Sequence, residues 1–285
     1  MIADRVRVDA PAKLTLTLRV LGVRPDGFHD LEALTVMTSA PCDTLVVDAA
    51  PPGAVDLTVI GGTADIPHDD TNLVVRAARA VLPDGAGVAI ALTKVVPSGA
   101  GLGGGSADAA AVLRVLRDRY HLDGRSVNAA AASLGSDVPV CLHGGPVIMR
   151  GRGERLESVA LAGDLHVVVA KPPFSLATPA VFRAWDALGG PAGTRTLAAP
   201  SAVAHLVGRL VNDLEPAAER VAPGLRDFRV RLESIAGQPA LLAGSGSAYW
   251  FPVRDGDTAS AMAAMVGTEL QVETFSGHAL REPVV

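Results

Sequence analysis

The sequence predicts an α+β fold in two parts. Three observations carry this: a strand-rich first half, a glycine loop set between a strand and an alanine-rich helix, and a second half that combines strands with helices. The chain has 285 residues, enough for two domains at roughly 100–200 residues each. We expect the division near residue 160, giving segments 1–160 and 161–285. Hydrophobic residues are 49% and charged residues 19% of the chain, which excludes a disordered polymer.

Strands come first. Arg5–Val20 alternates Val6, Val8, then Leu14, Leu16 and Leu18, a period of two interrupted at Pro11. Arg24-Pro25-Asp26-Gly27 is turn chemistry. Leu31–Met37, Thr44–Val47 and Val55–Ile60 continue as strands. Asn72–Val81 has helical spacing behind the capping candidates Asp69-Asp70-Thr71. Gly87–Val96 predicts a strand, Ala107–Tyr120 and Ser126–Leu134 helices, and Val138–Leu142 with Pro146–Arg150 a short hairpin before the turn Gly151-Arg152-Gly153-Glu154. Leu165–Ala170 opens the second half as a buried strand. Thr178–Leu188, Ser201–Leu210, the region of Asn212–Arg220, and Thr258–Gly267 read as helices. Ala240–Leu242 and Ala248–Val253 read as strands, and Gly189–Pro200 as a loop.

Charge and composition narrow the function. The formal net charge is −5, and no dense Lys/Arg cluster marks a nucleic-acid face. Small anions still fit, because one local positive site binds a phosphate whatever the global sign. The longest uncharged run, Ser234–Val253, contains Pro239 and Gly244-Ser245-Gly246-Ser247, which suits a loop rather than a membrane span. The opening MIADRVRVDAPAK has no apolar core of a signal peptide, so we expect a cytoplasmic protein with no membrane partner. Cys42 and Cys141 lack metal-ligand spacing and predict buried thiols. Lysine occurs only at 13, 94 and 171, every other cation of this class being arginine. Such retention marks places where a compact ammonium is wanted.

The segment Pro97–Ala107, PSGAGLGGGSA, has five glycines in its first nine residues. Glycine lets backbone N–H groups converge on one point, and the following helix start adds unpaired donors and partial positive charge. A di- or triphosphate suits that combination. Gly99-x-Gly101-x-x-Gly104 also matches the dinucleotide fingerprint, but another helix follows instead of a second parallel strand. A Walker A loop fails because no Gly-Lys pair exists in the chain.

These residues resemble the phosphate loop of the GHMP kinases. Pro11-Ala12-Lys13-Leu14, Arg24-Pro25-Asp26-Gly27-Phe28-His29, Gly135-Ser136-Asp137-Val138-Pro139 and Leu242-Ala243-Gly244-Ser245-Gly246-Ser247 are similar to signatures of the 4-diphosphocytidyl-2-C-methyl-D-erythritol kinase family. Thr71-Asn72-Leu73, Gly151–Glu154, Thr178-Pro179 and Asn212-Asp213-Leu214-Glu215 are supporting matches, in family order along nearly the whole chain. Thr15, Phe28 and Ala243 depart from the family's usual Asn, Tyr and Ser.

The resemblance implies a ribosomal-protein-like N-terminal ATP-binding domain and a ferredoxin-like C-terminal domain. It implies ATP and Mg2+, with ATP held by Pro97, Ser98, Gly99, Ala100, Gly101, Leu102, Gly103, Gly104, Gly105, Ser106 and Ala107, Asn72 near adenine, and Ser106 facing the metal. Asp137 becomes the base and Lys13 its electrostatic partner. Phe28, His29 and Phe182 would hold a cytosine, and Thr15 and Thr178 the erythritol part of cytidine diphosphate methylerythritol. A monomer or weak homodimer acting on this small molecule, without nucleic acid, is the expectation. A GHMP kinase for another small alcohol and a non-catalytic nucleotide-binding protein are the alternatives; retention of Lys13 and Asp137 argues against the latter.

Overall fold

The computed structural model describes residues 5–63, 66–190, 202–206 and 210–281. Two long strands, β1 (Val6–Val23) and β2 (His29–Ala49), form an antiparallel hairpin closed by Arg24–Phe28. In that turn Asp26 accepts the Phe28 N–H at 3.2 Å. The expected break at Pro11 does not occur. The register slips between Pro11 and Lys13, so the missing proline N–H falls at an irregularity in the ladder. The slip takes up residues 38–41 of β2, which joins the two separately expected strands into one. There Thr38 bridges Ala279, and Ser39 donates or accepts at His278 Nδ1 over 3.1 Å.

This hairpin organises a sheet in the order β3-β4-β2-β1-β8, with β5 and β6 hanging from the front half of β2. β3 spans Val55–Gly61, β4 Val88–Lys94, β5 Val147–Gly151, β6 Arg155–Ser158 and β8 Val211–Asn212. Four helices cover one face. α1 (Leu73–Val81) buries Val74, Val75, Ala77 and Ala78. Asn72 caps it, whereas Asp69 binds the N–H and hydroxyl of Thr71. α2 (Gly104–Tyr120) starts three residues before the expected Ala107, inside the glycine run. α3 (Gly124–Leu134) is capped by Asp123.

α4 (Asp137–His143) corrects the hairpin expected at Val138–Leu142. β-Branched residues suggested a strand, but Pro139 falls in a first turn, where no intrahelical N–H bond is lost. Val138 and Val140 are buried, and Arg114 of α2 donates to the Cys141 carbonyl at 2.9 Å. Burial outweighs the local β preference.

A second sheet, in the order β11-β7-β10-β9, is antiparallel throughout. β7 is His166–Lys171, β9 Leu241–Leu242, β10 Tyr249–Val253 and β11 Glu273–His278. Its helices are α5 (Thr178–Ala187), α6 (Glu215–Val221), α7 (Gly224–Ala236) and α8 (Gly256–Leu270). β6, β8, α7 and β11 have no counterpart among the expected elements. The helix expected over Ser201–Leu210 is a short 3-10 turn at Val203–Leu206 among the described residues, and the loop expected over Gly189–Pro200 lies outside them apart from Gly189 and Gly190.

The two sheets share their core. Leu14, Leu16, Leu34 and Val36 of the first pack with Val167, Val169 and Trp250 of the second. Leu18, Val20 and Met149 join Val168, Tyr249 and Phe251 in another cluster. This double coverage explains why Ala10–Leu18 is buried on both faces of β1.

One polar knot sits within this apolar frame. The Lys94 ammonium at the end of β4 donates to Asp43 of β2 and, at 2.8 Å, to Asp108 of α2. Asp43 also accepts the N–H groups of Val95 at 2.5 Å and Val96 at 2.8 Å. The knot therefore fixes both stems of the glycine loop. Burial works against the Lys94 charge, but the two carboxylates outweigh it and raise its pKa. Burial pushes the Asp108 carboxyl well up, against the pull of Lys94. Unfolding releases this acid to ionise, so its contribution to stability is present at low pH and is lost as pH rises from its unfolded pKa through its raised folded value. Asp108→Asn removes that loss. The stability of the variant relative to the parent chain should therefore rise by on the order of 1 kcal/mol between about pH 5 and pH 8. Paired urea titrations at the two pH values measure it, and a pH-independent difference would refute the assignment.

Candidate active site

The alternation of β1 places Lys13 and Thr15 on the face opposite Leu14 and Leu16. Both line a cleft of about 750 Å³ between the two halves of the molecule. Lys13 is almost wholly buried, and its Nζ donates to Asp137 Oδ2 at 3.0 Å. Asp137 opens α4, its side chain one-third exposed. A carboxylate at a helix start is favoured by the helix dipole. Lys13 thus meets a partner distant in sequence because β1 and α4 both pack on α2.

Residues Pro97–Ser106 all line the same cleft. Gly103 precedes α2 with φ +66°, and a Cβ there would meet the Lys13 side chain at 3.3 Å. Gly101 has φ +77°, and a Cβ there would overlap the Ala243 carbonyl oxygen. The loop is bonded on both sides through backbone: Lys13 N–H to Leu102 O at 2.8 Å, Ser247 N–H to Gly99 O at 3.1 Å, and Ala248 N–H to Ala100 O at 3.0 Å. Ser245, in the turn that presses on Gly101, exchanges a 2.8 Å hydrogen bond with Thr178 at the start of α5.

Aromatic groups line the cleft beside α5. The rings of His29 and Phe182 lie 4.5 Å apart at 31°, and His29 meets Trp185 edge-on at 5.2 Å. His29 Nε2 is 2.9 Å from Asp186 Oδ1. Half-exposed Phe28 carries the Arg152 guanidinium 3.4 Å from its ring centroid. Arg24 joins the two hairpin tips by contacts to Asp26 at 3.3 Å and Glu154 at 3.6 Å.

Similarity to known proteins agrees with this geometry. The GHMP kinases N terminal domain model matches residues 72–145. A 4-diphosphocytidyl-2-C-methyl-D-erythritol kinase from Pelotomaculum thermopropionicum is 39% identical, over 90% of this chain and 91% of that one. One from Nocardia farcinica is 38% identical over 97% and 95%. The crystal structure of a 4-(cytidine 5'-diphospho)-2C-methyl-D-erythritol kinase superposes with a TM-score of 0.79, at 34% identity over 96% and 98% of the two chains. The chain belongs to the 4-diphosphocytidyl-2-C-methyl-D-erythritol kinase family. It is an ATP-dependent kinase with the GHMP fold. A homoserine kinase from Cytophaga hutchinsonii, with a TM-score of 0.71 at 18% identity, shares the fold.

The cleft of this kinase collects Lys13, Thr15, Phe28, His29, Pro97–Ser106, Asp137, Thr178 and Phe182. Two expected residues stand apart. Asn72 does not line the cleft: its Oδ1 caps α1 through the Val74 N–H at 2.9 Å, and its Nδ2 donates to Pro67 O at 2.7 Å. Both amide atoms are thus engaged by backbone at the start of α1. Ala107, in the first turn of α2, faces the buried core. Sequence reasoning missed Arg152, whose only signal was its glycine-flanked turn. It also missed the partners of Lys94, although the scarcity of lysine singled that residue out. Among the described residues no helix is long and apolar enough to cross a membrane.

The backbone fit at Gly101 predicts a sharp contrast within one loop. Gly101→Ala should lower the melting temperature by about 5 °C or more. Gly105→Ala should not, since a Cβ at 105 meets only Leu73 Cδ1 at 3.7 Å. Parallel thermal melts decide the matter, and equal melting temperatures would refute the proposed fit.

Proposed function

We propose that this kinase moves the γ-phosphoryl group of ATP to the 2-hydroxyl of 4-diphosphocytidyl-2-C-methyl-D-erythritol, in the non-mevalonate route to isoprenoid precursors. The observation that carries the proposal is the 3.0 Å Lys13–Asp137 pair in a cleft lined by both the glycine loop and the Phe28, His29 and Phe182 rings. Phosphoryl transfer needs positioning, charge stabilisation and an acceptor for the hydroxyl proton. Asp137 takes that proton in this scheme. Lys13 stabilises the alkoxide as it forms and the charge on the transferring group.

The phosphates are held by backbone donors along Ser98–Ser106 and by the start of α2, which has no side-chain cap to compete for its N–H groups. Mg2+ prefers a few protein oxygens, with phosphates and waters completing its shell. The described residues contain no group of three or more His, Cys, Asp or Glu side chains able to hold a metal by themselves. The Ser106 hydroxyl, in the first turn of α2 and lining the cleft, fits that sparse donor set. When bound, the ion neutralises phosphate charge.

The cytosine stacks on Phe28 and Phe182. Arg152 covers one face of Phe28 and leaves the other for the base. Asp186 engages His29 Nε2, leaving Nδ1 for a polar contact to the base. Thr15 and Thr178 contact the methylerythritol part. Residues 1–160 form the ATP-binding half of this arrangement and 161–285 the other. The enzyme works in the cytoplasm as a monomer or weak homodimer, without nucleic-acid or membrane partners.

Two sets of kinetic measurements test the scheme. Asp137→Asn keeps shape and removes the proton acceptor, so kcat should fall by about 10²–10⁴-fold while ATP still binds. Lys13→Met should also lower kcat, and the double variant should lose less than the product of the two. Near-parent turnover in Asp137→Asn would remove that residue as base. Phe182→Ala should raise KM for the cytidine substrate by about tenfold or more and leave KM for ATP nearly unchanged. Equal loss for both substrates would make Phe182 a packing residue only.

A further inference from the structure

The turn Ala243–Gly246 presses on the glycine loop, yet its own support comes from a residue outside both. β8 adds two residues to the first sheet, with Leu18 opposite Asn212. From there the Asn212 carboxamide reaches the second sheet. Its Nδ2 donates to Leu242 O at 2.8 Å and to Gly244 O at 2.7 Å, the carbonyls on either side of Ala243. Its Oδ1 accepts the Leu214 N–H at 3.0 Å, just before α6. One side chain therefore fixes the turn at two points and the entry to a helix at a third.

The turn so fixed stands against the reacting groups. A Cβ on Gly244 would lie 2.9 Å from Gly101 O and 3.7 Å from Lys13 Nζ, and the Ala243 carbonyl blocks any side chain at Gly101. We propose that Asn212 is a positioning residue: by holding the Leu242 and Gly244 carbonyls it seats the turn that sets the glycine loop and the Lys13 ammonium in register for phosphoryl transfer. The inference rests on the phosphate-binding role of the loop. Asn212 does not line the cleft, so its effect passes through the turn. Aspartate at this position keeps an oxygen for the Leu214 N–H but loses both donors, and it turns a negative charge toward two carbonyl oxygens.

Asn212→Asp therefore separates the two jobs of the residue. The positioning role predicts that Asn212→Asp raises KM for ATP and lowers kcat, with kcat/KM for ATP down about tenfold or more. A role confined to the α6 entry predicts parent values, since that bond survives the change. Asn212→Ala, which loses all three bonds, should match the Asp variant in kcat/KM for ATP and melt at a lower temperature. If the Asp variant does not fold, the Ala variant decides by the same ratio. Gly105→Val, whose added bulk stands at the loop's open side, is measured beside them. If Gly105→Val raises KM for ATP while Asn212→Asp leaves kcat and KM at parent values, the positioning role is overturned and the loop keeps its phosphates. If neither variant changes KM for ATP, the phosphate role of the loop falls first, and the Asn212 inference falls with it.

Discussion

Backbone against backbone, at a spacing only glycine permits, is the constraint on which this structure turns. Gly101 lies against the Ala243 carbonyl, and the loop around it is bonded to β1 on one side and to the segment entering β10 on the other. Three stretches of chain thereby meet without side chains between them. Lys13 takes its place because its own N–H is tied to Leu102. α2 takes its place because Lys94 joins its second turn to the sheet through Asp108. A methyl group at the crossing would separate the halves that make the cleft.

Charge is distributed locally rather than globally. A chain with net charge −5 prepares a site for polyanions by sparing use of cations. Each lysine is committed to a defined partner: Lys13 to Asp137, Lys94 to two buried aspartates, and Lys171 to the carbonyls of Pro172 and Phe174. Burial lowers the Lys171 pKa, and its donors serve the loop after β7 rather than the cleft. At the rim of the cleft, the Arg152 guanidinium stands over the Phe28 ring.

Patterns carried by neighbouring residues were legible in the sequence. The period-two stretches became strands, the apolar spacing of Asn72–Val81 became a helix, and the glycine run fell between β4 and α2. Pairings across the chain were less so. α4 was misread because Val138 and Val140 favour strands locally, and only packing on α2 reverses that preference. The Asp43–Lys94–Asp108 knot draws on three separate elements, and no local pattern links its three members. Asn72 shows the opposite case. A residue at a motif position turned out to spend both amide atoms on the backbone, as any good helix cap does. Phe28 and His29 were singled out by the motif, but their contacts to Arg152 and Asp186 depend on hairpin tips and a helix that meet only in the folded chain.

The short strand β8 has a consequence for how the chain acquires this shape. It pairs with β1, and Asp213 just after it binds Arg19, 194 positions away. Two of the three apolar clusters likewise need residues from both ends. As synthesis proceeds from the N-terminus, β1 and β2 emerge long before β8, β10 and β11 exist to cover them. An early-formed first sheet would expose Leu14, Leu16, Leu34 and Val36 to water and to other nascent chains. Such a topology, dominated by distant contacts, favours slow late closure of the whole molecule over stepwise completion of halves.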